Sequence, residues 1–232
     1  MKLQTKIIGT AVLATLLFNA CSTTKDAFVN REWHALNTKF NVLYNGNIAF
    51  EEGREELNAS YKDNYWETLP VERMQILDEV KLDSENNNPN FEIAEEKATK
   101  AIQKHSMVIK DREHNAQTDE AYLLLGKSRY FDQRFIPALE AFNYILGEYP
   151  DSDKINQARI WREKTHLRLE NDEYAIANLK RILRFEKLED QEYADANAVL
   201  GQAYINLKHK DSAVQVLKLA AASTDKREEQ GR

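Results

Sequence analysis

Apolar and polar positions alternate most regularly between Asp119 and Pro150, in the run DEAYLLLGKSRYFDQRFIPALEAFNYILGEYP. On a helical wheel Tyr122, Leu125, Gly126 and Tyr130 share one face, and Phe135, Ala138, Phe142 and Ile145 share another. Asp132-Gln133-Arg134 separates the two runs, and Pro150 stops the second because proline cannot continue a helix. This pattern predicts a helix, a tight turn and a helix, each apolar on one side. Small Gly126 and Ala138 mark the positions where the two backbones come close. Such a hairpin cannot bury its own apolar face, so the chain should repeat it.

It does. DANAVLGQAYINLKHKDSAVQVLKLA places Leu200, Gly201, Tyr204, Ala213 and Leu217 in the same phases. Between the two lies a weaker copy, ARIWREKTHLRLENDEYAIANLKRIL, with Trp161, Tyr174 and Ala177 in phase and Thr165 at the place of the first glycine. On that register the copies are spaced by 39 and then 36 residues. Tyr122, Leu125, Gly126, Phe135, Ala138, Phe142 and Pro150 fall at the spacing of the tetratricopeptide repeat, which this stretch resembles. Generic helical hairpins are the alternative, and seven phased positions in one unit argue against it. The expected fold is all-α, a tetratricopeptide-type helical-repeat solenoid following an N-terminal lipoprotein signal peptide.

Upstream, Phe28, Trp33, Leu36, Phe40, Leu43, Tyr44 and Ile48 recur at three- and four-residue steps, which predicts helix over 26–57 with a candidate break at Tyr44-Asn45-Gly46-Asn47. Tyr65 and Trp66, before Leu69-Pro70, read as an extended crossing that packs its aromatics on the first helices, with a short helix over Val71 to Val80. The stretch 83–90 is a loop of turn formers closed by proline. A helix over Phe91 to Lys110 then presents Ile93, Ala94, Ala98, Ala101, Ile102 and Met107 on one face and should stack on the first hairpin. The expected organisation is a leader over 1–20, a polar tether over 21–25, an N-terminal helical region over 26–82, the loop, a lead-in helix over 91–118, repeats over 119–152, 153–190 and 191–222, and a polar tail over 223–232.

The leader has the layout of a secretory signal. Lys2 and Lys6 precede a twelve-residue apolar run from Ile7 to Phe18, too short to span a bilayer, and Ala20 sits before Cys21. The sequence around this cysteine resembles a bacterial lipobox. That resemblance implies cleavage before Cys21 and acylation of its thiol and new amino group, which would anchor the chain stably. Cys21 is the only cysteine of 232 residues, so no internal disulfide forms. Ser22 is not an acidic inner-membrane-retention residue, which favours the outer membrane, facing the periplasm.

Removing the leader leaves 30 basic against 38 acidic residues, a net of −8, which argues against nucleic acid as a partner. The seven glycines form no phosphate-binding loop, and the sequence holds no HExxH, no CxxC and no recognisable nucleophile–base pair. The Glu51-Glu52 and Glu55-Glu56 pairs read as a solvated helix face. His34, His105 and His114 fit packing or surface roles better than metal ligation. These features predict a binding scaffold rather than an enzyme, with no cofactor, no metal and no small-molecule substrate.

In a tetratricopeptide array the first helix of each unit lines a concave groove. Transferring those positions gives Lys127 and Tyr130 in the first repeat, Arg159, Arg162 and His166 in the second, and Gln202 and Asn206 in the third. Three cations there would receive an acidic or carboxylate-bearing peptide. The competing reading is that Arg159 and Arg162 pair with glutamates on adjacent turns, such as Glu163.

Beyond the repeats, residues 21–25, Phe28-Val29-Asn30-Arg31, Trp33-His34 and the run from Lys39 to Gly46 resemble the SprE/PorW family of tetratricopeptide lipoproteins of Bacteroidota. So do Lys97-Ala98, the run from Lys100 to Met107, and Leu125-Gly126-Lys127. The resemblance spans residues 21 to about 220. It implies a periplasm-facing outer-membrane lipoprotein needed for type IX secretion and gliding motility, whose partners are protein components of that machinery. Family members are usually longer, so this chain reads as the N-terminal part of a longer protein. Two other readings are open: a general outer-membrane assembly adaptor, and a glycan-binding lipoprotein. The second needs an exposed aromatic platform, whereas Trp33, Trp66 and Trp161 are spread over the chain and read as packed.

Overall fold

The computed structural model describes residues 22–76 and 88–226. The expected leader over 1–20, Cys21, residues 77–80 of the expected short helix, most of the 83–90 loop and tail residues 227–232 lie outside the described residues. Within them the chain is all-α apart from one short hairpin. Helix α1 (Phe28–Asn37) runs through a π-helical turn (Thr38–Leu43) into α2 (Tyr44–Ser60), followed by α3 (Pro89–His105). A two-stranded antiparallel hairpin, β1 (Val108–Ile109) and β2 (Arg112–Glu113), precedes α4 (Thr118–Phe131) and α5 (Phe135–Glu148). The remaining helices are α6 (Ile155–Arg168), α7 (Asp172–Phe185), α8 (Asp190–Asn206) and α9 (Lys210–Ser223).

Three hairpins, α4–α5, α6–α7 and α8–α9, are closed by the same turn. Gln133, Glu170 and Lys208 each take a left-handed conformation, with φ of 62°, 60° and 61°. In each turn the next backbone N–H donates back to a carbonyl five residues earlier: Arg134 to Arg129, Asn171 to His166 and His209 to Tyr204, at 2.9, 3.0 and 2.8 Å. The turns therefore recur at 37 and 38 residues. This corrects the register of the middle unit, which sequence spacing set at 39 and 36. The position of Gly126 and Gly201 is held there by Glu163, not Thr165, and the position of Ala138 and Ala213 by fully buried Ala175. Tyr174 and Ala177 face solvent. Glutamate in a glycine's place hides the repeat from sequence inspection. It is tolerated because the buried Glu163 carboxylate accepts from Arg162 Nε at 2.8 Å and Asn178 Nδ2 at 3.0 Å.

The two glycines are needed where the helices cross. A Cβ on Gly126 would lie 2.5 Å from the Phe142 ring, and one on Gly201 would lie 2.4 Å from Leu217 Cδ2. Tyr122, Leu125, Phe135, Ala138 and Phe142 pack as the periodicity predicts, and so do Leu200, Tyr204 and Ala213. Pro150 follows the end of α5. Trp161 packs edge-on or stacked against Tyr130, Phe131 and Phe142.

The N-terminal region departs most from expectation. No break occurs at 44–47; the helix instead loosens into the π turn over Thr38–Leu43. Asn30, His34, Thr38, Val42, Gly46 and Phe50 are all buried, at a strict spacing of four. Four residues overshoot one α-helical turn by about 40°, so such a row drifts off its face, and the wider π turn counters the drift. Gly46 and Gly53 let α2 approach its neighbours: a Cβ would lie 2.8 Å from Leu124 and from Phe91, respectively. The apolar stripe expected to face inward (Phe28, Trp33, Leu36, Phe40, Tyr44, Ile48) is exposed, and only Leu43 of that set is buried. Polar residues face in where bonds hold them, although the buried His34 Nε2 has no partner among the described residues. Asn115 Nδ2 donates to Thr38 Oγ1 at 3.0 Å, Thr38 Oγ1 donates to the His34 carbonyl at 2.7 Å, and the Nδ1 atoms of His34 and His105 meet at 3.1 Å.

Helix α3 begins at Pro89, capped by Asn88, and ends at His105 instead of Lys110. Chain reversal through Lys110 and Asp111, both with positive φ, makes the short hairpin, which the Glu113 carboxylate ties to the end of α3 through Ser106 and the Met107 amide. As expected, α3 packs directly on α4; it also packs on α2. Glu95 of α3 meets Arg129 and Arg134, and Arg134 also holds buried Asp132, which joins α3 to the first hairpin turn.

Candidate functional site: a groove already holding a carboxylate

Helices α4, α6 and α8 stand side by side, α4 against α6 and α6 against α8. Their shared face is crossed by residues 69–76, an irregular segment bent at Val71 and Glu72, where the Met74 amide donates to the Glu72 carbonyl at 2.9 Å; the helix expected from Val71 does not form over 71–76. The Val71 amide donates to Gln202 Oε1 of α8 at 2.7 Å. Glu72 enters between α4 and α6, Met74 is 4% exposed, and Gln133 of the first hairpin donates to the Gln75 carbonyl at 3.0 Å. One short strap thus touches all three hairpins. Tyr65 and Trp66, expected to pack on the first helices, point outward from a turn closed by Asn64. The contacts inward are made by the residues after Pro70 instead.

Glu72 is the centre of the site. Its carboxylate accepts from the Tyr130 hydroxyl at 2.6 Å and from Arg168 Nη2 at 2.7 Å, and pairs with the Lys164 ammonium. Arg168 Nε also donates to the Tyr130 oxygen at 2.7 Å, so the three donors are mutually oriented. Burial alone would raise the Glu72 carboxyl. The charges of Lys164 and Arg168, helped by the bonds from Lys164 and Tyr130, outweigh it and hold the pKa down to about 2. Burial lifts Tyr130 well above the usual phenol range, so it stays a donor. Lys164 lies 4.3 Å from the centre of the Trp161 ring, which completes the wall. The Tyr130 hydroxyl, the Arg168 guanidinium and the Lys164 ammonium thus converge on one carboxylate.

The residues expected in this groove divide clearly. Tyr130 and Gln202 line it and bind the strap. Asn206 lies one turn beyond, receiving a bond from Gln202 and donating to Asp172. Lys127 lies over Trp161 at 5.4 Å beside a cleft of about 190 Å³ between α2 and α6, and burial pushes its pKa down to about 8 against the pull of Asp195 and Glu51. The three candidates of the middle unit are engaged with other partners. Arg159 pairs with Glu186 at 2.7 Å, Arg162 with Glu163 at 2.6 Å, and His166 packs on Tyr174. The competing reading for Arg162, a glutamate partner on its own helix, is the observed one. With Glu163 at the glycine position, the counterparts of Gln202 and Asn206 are Lys164 and Arg168. Placing that position at Thr165 puts His166 where Lys164 stands, two residues late. Glu72 carried no sequence signal, because the strap is neither periodic nor near the hairpins in sequence.

Among the described residues no group of three or more His, Cys, Asp or Glu side chains is arranged to hold a metal ion, and no helix is long and apolar enough to cross a membrane. No protein-family model matches the chain, and a search of curated proteins finds no match.

Proposed function

We propose that this chain is a non-enzymatic, tetratricopeptide-type scaffold whose groove over α4, α6 and α8 binds an extended acidic segment of a protein partner. The Glu72 strap then acts as a ligand held in cis. The observation that carries this reading is the convergence of Tyr130, Lys164 and Arg168 on one carboxylate, with Gln202 taking the backbone beside it. Those four groups read a carboxylate and a main-chain amide, features that any extended acidic peptide shares. A partner must displace the strap, so the groove is latent until a competing segment arrives. The test uses a labelled peptide copying Leu69 to Gln75. It is expected to bind weakly to the native protein, tightly to the Glu72→Ala variant, and not to Glu72→Ala combined with Arg168→Ala. Equal weak binding to all three proteins would refute the groove as a peptide site.

In the cell, the lipobox-like sequence at Cys21 and the resemblance to SprE/PorW proteins support an outer-membrane lipoprotein facing the periplasm. There it would link components of the type IX secretion and gliding machinery. Deleting the gene in its host is expected to remove type IX cargo from the medium and to stop colony spreading while porin levels stay intact. General loss of porins would mark an outer-membrane assembly adaptor instead, and normal export would remove the secretion assignment.

A further inference from the structure

The exposed stripe on α1 and α2 is the largest feature that the groove leaves unexplained. Val29, Trp33, Leu36, Phe40, Tyr44 and Ile48 are each between 42% and 61% exposed, and Phe28 extends the row at its start. From Val29 to Ile48 the stripe runs along about 30 Å of helix. A continuous exposed apolar row of this length marks a surface that something covers. The π turn keeps the row straight as well as the buried one, so the stripe does not spiral away. Its composition is that of residues which settle at a membrane–water boundary: two aromatics with polar edges, Trp33 and Tyr44, among Phe, Leu, Val and Ile. Exposed Glu32, Lys39, Asn41 and Asn45 border it, as on a helix lying in an interface with its polar flanks in water.

The position of the stripe selects the occupant. Cys21 is seven residues before Phe28, at most about 25 Å of extended chain. The intervening residues are turned rather than extended, with bonds between the hydroxyls of Ser22 and Thr24 and from the Ala27 amide to the Lys25 carbonyl. We infer that the face formed by Val29, Trp33, Leu36, Phe40 and Tyr44 lies on the lipid bilayer next to the acyl anchor and fixes the orientation of the scaffold against the membrane. This rests on the reading of Cys21 as the acylated residue. An anchor on a tether alone leaves the scaffold free to tumble; a second contact seven residues on sets which side of the solenoid the membrane sees.

The test uses the protein purified from membranes and reconstituted into vesicles of phosphatidylethanolamine and phosphatidylglycerol with brominated acyl chains. The Trp33 contribution is read as the fluorescence difference from a Trp33→Phe variant, and acylation of Cys21 is read by mass spectrometry. The expected result is bromine quenching of Trp33. It should be lost in a Leu36→Glu, Phe40→Glu double variant that keeps its acyl mass and its helical circular dichroism. Unquenched Trp33 in acylated native protein overturns the inference and leaves the anchor standing. A disulfide between two copies through Leu36→Cys, with Trp33 unquenched, assigns the stripe to a second copy. If Cys21 carries no acyl group, the anchor reading fails. Quenching of Trp33 by added vesicles would then still support the stripe, and its absence would overturn it.

Discussion

Gly126 and Gly201 show how much one missing methyl group decides. Each lies under an apolar side chain of the paired helix, and a Cβ would overlap Phe142 or Leu217. Gly126→Ala or Gly201→Ala should therefore destabilise the fold by about 1–3 kcal/mol through overpacking, read as a lower urea midpoint at unchanged slope. Gly147 is the control: it sits in α5 with nothing within 4 Å of its missing Cβ. Gly147→Ala should be neutral or stabilise by about 0.5–1 kcal/mol. Glu163 solves the same crossing differently, replacing absence of bulk with a buried carboxylate satisfied from its own helix and from Asn178.

At the scale of elements, the contact of α1 with α3 is set by a pair of facing histidines. Burial lowers the pKa of both His34 and His105, and for His105 the charges of His34, Lys100 and Lys104 add to it. The other groups near this contact are Thr38 and Asn115, which are neutral, while His114 lies 3.6 Å from Asp26. Folding favours the neutral imidazoles, so the unfolded chain binds more protons. The stability they allow is complete above their ordinary pKa of about 6.5 and declines as pH falls below it. Urea unfolding at pH 7.5 and pH 5 should show that decline, and His34→Asn should reduce it. The strap titrates lower. Glu72 is held down to about 2, so its contribution is complete above an ordinary carboxyl value of about 4.5 and is lost between there and pH 2.

For the whole molecule, the described apolar core forms two clusters. One runs from Val42 to Ala158 and the other from Ile160 to Ala213, meeting within α6. Neighbouring helices supply nearly all contacts, as in a repeat array. The strap is different, because it joins Gln133, Tyr130, Lys164, Arg168 and Gln202 across three hairpins. Glu72→Ala should raise amide hydrogen exchange over residues 69–76 by at least about tenfold while α4 and α5 keep their protection. Uniform loss of protection would instead make the strap part of the global core.

The sequence by itself determined the helical hairpins at 119–150 and 195–220, their turns and their glycine crossings. These depend on local periodicity and on small residues at fixed offsets, and both are written in neighbouring positions. It did not determine the middle register, because Glu163 stands where a glycine would have announced the crossing, and only the packed neighbours reveal why a carboxylate fits. Nor did it settle which side of α1 faces in. Counting apolar residues points Trp33, Leu36 and Phe40 inward, whereas the tertiary structure buries Asn30, His34 and Thr38, whose hydrogen-bond partners come from distant α3 and Asn115 or from their own helix and its approach. The groove was legible in part: Tyr130 and Gln202 follow from repeat position. The carboxylate that fills it comes from Glu72, 58 residues before Tyr130 and 96 before Arg168. A contact over that separation leaves no periodic trace, and only folding brings its members together.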